Sequence, residues 1–263
     1  MNLPPFTPSV YESMNGVVAH RGASGHAPEN TAAAIQLAAH QGANWVEIDV
    51  TLSDDGIAII HHDETLNRCS NGTGWVAQHT VDQLKALDAG SWFAAEFAEQ
   101  QILTLPELLT LCDELDLGLN IEVKPVIGLE DETISAIEQA IHGHAVRTPI
   151  LLSSFNLRAL QGCRRHLPHI PRGLNVEAIP LDWQQRLQEV EASSLHFQHH
   201  FFNRRRVEAI CNAGYHTLAF TVNDPDQARD LIQSGVTAVF TDYPATLLPY
   251  TQKTTTPFNL ARH

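Results

Sequence analysis

The sequence predicts a parallel α/β barrel with a small insertion after its second strand, and three observations carry that expectation. Apolar, β-rich runs alternate with amphipathic stretches along most of the chain, about eight such units fit within 263 residues, and no shift in composition marks a boundary. Eight strand–helix units in a chain of this size point to a closed barrel; an open doubly wound sheet stays as the alternative, because periodicity alone does not reveal closure. The expected unit is one domain over 1–263, with the insertion at about 54–104.

The elements follow in order. After a short irregular leader, the first strand is the apolar run Val17-Val18-Ala19, ending in the basic pair His20-Arg21. Thr31 as a first-turn polar residue and Gly42 past the last turn bound a helix at 31–41. The second strand, 45–50, carries Glu47 and Asp49, which alternation places on one face. Asp54-Asp55-Gly56 is a turn that folds a strand-like run, 57–61, back as a hairpin. The turn-rich Asn71-Gly72-Thr73-Gly74 and a short helix near 81–87 complete the insertion. Further strands are expected at 118–123, 150–153, 173–176, 195–198, 217–222 and 238–241. Helical spacing recurs at 105–115, 132–141, 157–165, 204–213 and 226–233, the last opened by Asp224-Pro225-Asp226. The histidines of 195–202 read as loop residues near a pocket mouth rather than a second metal site. The tail from Lys253 is polar and expected to fray.

Composition narrows the function. With 16 Lys+Arg against 30 Asp+Glu, the net charge is −14. That field disfavours nucleic acid and a polybasic membrane contact, while leaving room for a small phosphate ligand where a metal and local cations reverse the potential. The four cysteines, 69, 112, 163 and 211, have no Cys-x-x-Cys spacing, which argues against structural zinc and a redox dithiol. No secretory segment and no run of membrane-spanning length is read, so the expectation is a cytoplasmic protein without a membrane anchor.

A barrel of this type places its chemistry at the carboxyl ends of the strands. The polar residues collected there are His20 and Arg21, Glu47 and Asp49, Glu122 and Lys124, with His61, His62 and Asp63 from the insertion. Three carboxylates on two strands form an oxygen set suited to a hard cation such as Mg2+ or Ca2+. Each pair alone is more often a solvated or salt-bridged group than a metal site. Together, inside apolar runs, they are costly to bury without a shared ion. Two histidines beside a metal-bound phosphate suit acid–base catalysis, one accepting and one supplying a proton. Arg21 offers a planar fork to phosphate, and Lys124 a point charge.

These residues resemble the glycerophosphodiester phosphodiesterase family, in its soluble bacterial form. The resemblance rests on His20-Arg21-Gly22, Pro28-Glu29-Asn30-Thr31, Glu47-Ile48-Asp49-Val50, His62-Asp63-Glu64-Thr65-Leu66-Asn67-Arg68, Asn71-Gly72-Thr73-Gly74, Leu105-Pro106-Glu107, Ile121-Glu122-Val123-Lys124 and Phe240-Thr241-Asp242-Tyr243-Pro244, in that order. It implies a (β/α)8 barrel and hydrolysis of a small glycerophosphodiester to sn-glycerol 3-phosphate and an alcohol. It also implies His20 and His62 as the catalytic pair, Glu47, Asp49 and Glu122 as ligands of Mg2+ or Ca2+, and Arg21 and Lys124 on the phosphate. Glu29 is placed at the edge of that site. Phe155, Gln198 and Phe220 are candidates to touch substrate, and His61 is read as structural. Cys69-Ser70 stands where a threonine pair is frequent, and Phe220 where tryptophan is frequent.

The expected path uses the glycerol hydroxyl next to the ester as nucleophile, giving a cyclic phosphate that water then opens. Direct attack by water is the competing route. Two other readings stand beside it: a barrel phosphodiesterase acting on lysophospholipids, which needs an apolar rim, and a non-catalytic phosphate-ligand binding protein on the same barrel.

Overall fold

The computed structural model describes residues 9–145 and 147–251; the first part of the leader and the polar tail lie outside the described residues. Eight parallel strands form the barrel: β1 (Val17–His20), β2 (Trp45–Leu52), then, after an antiparallel β3 (Ala58–Ile60), β4 (Gly118–Val123), β5 (Ile150–Ser154), β6 (Arg172–Val176), β7 (Ser194–Gln198), β8 (His216–Phe220) and β9 (Ala238–Thr241). β1 pairs with β2 on one side and β9 on the other, which closes the ring and removes the open-sheet alternative.

Among the described residues, ten α-helices accompany the strands. A short α1 (Ser9–Glu12) precedes β1, and α2 (Ala32–His40) joins β1 to β2. α3 (Val81–Lys85) belongs to the segment between β3 and β4, which ends in α4 (Leu105–Glu114). α5 (Glu130–His142), α6 (Leu157–His166), α7 (Trp183–Glu189), α8 (Arg204–Asn212) and α9 (Pro225–Gln233) alternate with the remaining strands, and α10 (Pro244–Thr251) follows β9. Side-chain caps start several of these helices. Thr31 Oγ1 accepts from the Ala34 N–H, Thr104 and Glu107 form a reciprocal capping box, and Asn156, Asn203 and Asp224 accept first-turn N–H groups.

Two details differ from the sequence pattern. The leader is not wholly irregular: α1 and the turn after it bury Val10, Tyr11 and Met14 against inward-facing Val18, Trp45, Leu151 and Leu218, stoppering the amino-terminal end of the barrel. β2 also runs past the barrel, so that Thr51 and Leu52 pair with Ile59 and Ala58 of β3. Gly56 turns this hairpin with φ +80°, a conformation that costs glycine little.

Alternation along the strands sorts side chains into an outer core and a lumen. Val46, Ile48, Val50, Leu119 and Ile121 face outward into the apolar layer beneath α2, α4 and α5. Leu195, Phe197, Ala219 and Val239 do the same beneath the helices of the other half. The inward set is apolar at the stoppered end and polar above it. Strand register then fixes which polar groups are neighbours: His20 lies opposite Glu47, Glu47 opposite Asn120, and Asp49 opposite Glu122.

Candidate active site

The last residue of β1 is the first histidine, His20, and the β1–α2 loop supplies the first cation, Arg21. Arg21 and Asn30 both sit in the left-handed region, at φ 54° and 60°, and the Asn30 N–H donates to the Arg21 carbonyl at 3.0 Å. Non-glycine residues in that region carry strain that local contacts must offset. Here the contacts point at the lumen. The Arg21 N–H donates to Glu47 Oε2 at 3.1 Å, and Asn30 Nδ2 donates to Asp49 Oδ2 at 2.9 Å. Gly22, at φ +85°, permits the turn, because a Cβ there would meet the Ala34 backbone at 2.6 Å.

Glu47, Asp49 and Glu122 converge. One carboxylate oxygen from each lies within 4.8 Å of the other two, with Glu47 and Asp49 buried and Glu122 half-buried. Their ionisation is uneven. Burial, then the negative charges of Asp49 and Glu122, drive Glu47 well above the ordinary carboxylate range. Burial and Asp49 push Glu122 up to about 7, against the pull of Lys124, whose Nζ is 3.7 Å from Glu122 Oε1. Burial also opposes ionisation of Asp49, but Arg21, His62 and Lys124 outweigh it and hold that carboxyl below its usual value. Such a buried acidic trio persists only with protons or a cation in its midst. The donor set is all oxygen, so it suits a hard divalent ion.

Each histidine is oriented by its own carboxylate. His20 Nδ1–H donates to Asp242 Oδ1 at 2.7 Å, and His62 Nδ1–H donates to Asp63 Oδ1 at 2.6 Å. These bonds leave Nε2 of both rings for chemistry, the His20 Nε2 being 4.0 Å from Glu47 Oε2. Asp242 also accepts from Ser24 Oγ and Asn223 Nδ2, and Asp63 from the Arg68 guanidinium. Burial opposes ionisation of Asp242, but His20, Asn223 and Ser24 hold it at about 2. Burial lowers the His62 pKa.

The cavity above the carboxylates has a volume of about 240 Å³ and is lined by His20, Arg21, Glu47, His62, Asn120, Glu122, Lys124, Phe155, Asn175, His196 and Phe220, among others. Thus eight sequence-chosen residues, His20, His62, Arg21, Lys124, Glu47, Glu122, Phe155 and Phe220, share one wall, and Asp49 lies beside them in the cluster. Phe155 and Phe220 meet edge to face at 5.7 Å. Two candidates stand elsewhere. Glu29 is held at 2.7 Å by Arg21 and doubly by Arg68, so it braces Arg21 rather than facing the cavity. Burial opposes its ionisation, yet the two arginines keep its carboxyl at about 2. Gln198 accepts from His200 Nδ1 at 3.2 Å and is not among the residues lining the cavity. His61 is buried and bonded to the Thr65 carbonyl.

The sequence reading also missed residues. His196 is not a loop histidine: it is on β7, facing the lumen, hydrogen-bonded to Ser194 and held neutral by burial, with a pKa of about 3. Alternation with Leu195 and Phe197 was the available signal. Asp242, Asp63 and Arg68 lay within quoted motifs without an assigned role. Asn120 and Asn175 had no signal. Asn175 Nδ2 donates to Glu122 Oε2 at 3.2 Å, and the Oδ1 atoms of both amides are buried without hydrogen-bond partners.

Comparison with known proteins agrees with this geometry. The family model for the glycerophosphoryl diester phosphodiesterase family matches residues 20–246. The chain belongs to that family. A glycerophosphodiester phosphodiesterase of Caldanaerobacter subterraneus subsp. tengcongensis is 35% identical over 242 residues, covering 90% of this chain and 98% of the relative. A phosphodiesterase of Oleispira antarctica, solved in complex with the product sn-glycerol-3-phosphate, superposes with a TM-score of 0.90 at 44% identity, covering 93% of this chain and 99% of the other. A glycerophosphodiester phosphodiesterase of Agrobacterium tumefaciens gives 0.76 at 29% identity, covering 90% and 100%. Among the described residues, no helix is long and apolar enough to cross a membrane.

Proposed function

We propose that the chain hydrolyses glycerophosphodiesters to sn-glycerol 3-phosphate and an alcohol, with Glu47, Asp49 and Glu122 holding Mg2+ or Ca2+. The observation that carries this reading is the convergence of three carboxylates beneath two histidines, each histidine backed by a carboxylate of its own. The Oleispira antarctica relative's bound sn-glycerol-3-phosphate supports the choice of substrate.

Glu47, Asp49 and Glu122 would hold the ion, which would offset charge building on the phosphoryl oxygens and make the glycerol hydroxyl easier to deprotonate. The rest falls to side chains. Arg21 Nε is buried 3.2 Å from Asp49 Oδ2 yet makes no hydrogen bond, so a phosphate oxygen gives it an acceptor. Lys124 adds a second positive charge. The orphaned Oδ1 atoms of Asn120 and Asn175 accept from glycerol hydroxyls, which orients the sugar alcohol deep in the lumen. One histidine Nε2 takes the proton of the glycerol hydroxyl adjacent to the ester as that oxygen attacks phosphorus. The other protonates the departing alkoxide. A cyclic phosphate forms, and water opens it with the roles exchanged.

A metal-titrated assay on glycerophosphocholine and glycerophosphoethanolamine, following sn-glycerol 3-phosphate, tests the proposal. Activity lost to chelator and restored by Mg2+ or Ca2+ is expected; full activity of chelated protein removes the metal. Equal turnover of a diester lacking the adjacent hydroxyl removes the cyclic route.

A further inference from the structure

A second, larger cavity opens beside the catalytic one, with a volume of about 460 Å³. The two share His62, Glu122, Lys124 and Phe155, so they meet across the reacting groups. Their chemistry differs. The inner cavity is walled by carboxylates, amides and histidines. The outer one is walled by Trp75 and Val76 of the insertion, Val126 and Ile127 of the loop after β4, and Phe155. Three of these are large apolar side chains left open to solvent: Trp75 is 51% exposed, Ile127 84% and Phe155 46%. Scattered single apolar residues on a surface need no explanation, whereas several lining one concavity mark a binding site. Two further acids line this cavity: Asp63 is already neutralised by Arg68 and His62, and Glu64 is exposed to solvent, which screens its charge.

A phosphodiester has two ester arms. In the reading given above, on which this inference rests, the glycerol arm lies in the polar lumen and the phosphorus lies at the carboxylate cluster. The other arm then leaves through the shared wall into the outer cavity. We propose that this cavity is a leaving-group subsite for an apolar alcohol, and that the preferred substrates are sn-glycerol 3-phosphate esters of alkyl alcohols rather than of choline or ethanolamine. In the reaction the P–O bond to the alkanol breaks, the alkanol departs with the proton it receives, and water restores the free phosphate monoester.

The test uses the full chain loaded with Mg2+ or Ca2+ and the ethyl, butyl and hexyl esters of sn-glycerol 3-phosphate, with glycerophosphocholine alongside. Alkanols of this series ionise alike, so chain length reads binding and not leaving-group chemistry. The expected result is a rise in kcat/KM of about two- to fourfold per added methylene, the range for partial to full burial of a CH2. In Ile127→Ser and Trp75→Ala the hexyl-to-ethyl ratio should fall by about tenfold; taken on one enzyme sample, that ratio is immune to loss of folded protein. A ratio near one in the unsubstituted enzyme, an undiminished ratio in both variants, or a choline ester that outpaces the hexyl ester overturns the inference. Release of sn-glycerol 3-phosphate from none of the esters overturns the diesterase reading instead.

Discussion

The bond between His20 and Asp242 gives a quantity to work with. Asp242 keeps its charge down to about pH 2, against 3.8 for a free side chain, even though burial works against the charge. That difference corresponds to about 2 kcal/mol favouring the ionised carboxylate. His20 comes first among the groups that supply it, at 2.7 Å, ahead of Asn223 and Ser24. Asp242→Asn removes the charge from the 2.7 Å bond to His20 Nδ1, a loss of about 1–2 kcal/mol for the imidazolium that the proposed mechanism forms, at the low end for a hydrogen bond to a charged group. The expected outcome is a kcat about 5- to 30-fold lower with KM little changed, measured as sn-glycerol 3-phosphate release from glycerophosphoethanolamine. The carboxylate contributes stability above its unfolded pKa of about 3.8 that is lost only as pH falls towards 2, so at neutral pH the variant's Tm should drop modestly while its circular dichroism stays native. A natively folded Asp242→Asn enzyme within twofold of the original kcat would refute the argument that this carboxylate positions and charges His20.

Other outcomes follow from the same geometry. His20→Ala and His62→Ala should each lower kcat by roughly a hundred- to ten-thousandfold, read in single-turnover assays with Mg2+ or Ca2+ present. Metal-free protein should lose Tm as pH rises from about 4.5 through 7, because the Glu122 carboxyl, raised to about 7, stabilises only while it holds its proton; added Ca2+ should reverse the trend, and Glu122→Gln should flatten it and weaken calorimetric metal binding. Gly118→Ala sets a Cβ 2.2 Å from the buried Trp45 ring, so it should cost about 1–3 kcal/mol in urea unfolding without altering metal affinity.

The barrel was legible in the sequence because its strands are apolar and its helices are capped at predictable places. Besides α1, two helices escaped notice for physical reasons. α7 buries only Leu187 among its seven residues, too little to make a stripe, and α10 contains Pro249, a residue that usually ends a helix. The carboxylates and histidines of the site were visible as charges embedded in apolar runs. What they lean on was not. Asp242 is 222 residues from His20, and no local pattern relates them. Glu29 and Gln198 carried the right functional groups, but only coordinates reveal that two arginines and His200 already occupy them.

The ring of strands is sealed where its first and last members meet, and that seam divides the catalytic apparatus by dependence. The acidic trio comes from β2 and β4, direct neighbours that can dock before the circle is complete. The His20–Asp242 couple straddles the junction of β1 and β9 and exists only once the circle is shut. On the proposed mechanism, a chain whose ring is still open would hold the acidic cluster but lack the carboxylate that orients His20, so full hydrolytic activity would report that β1 and β9 have met.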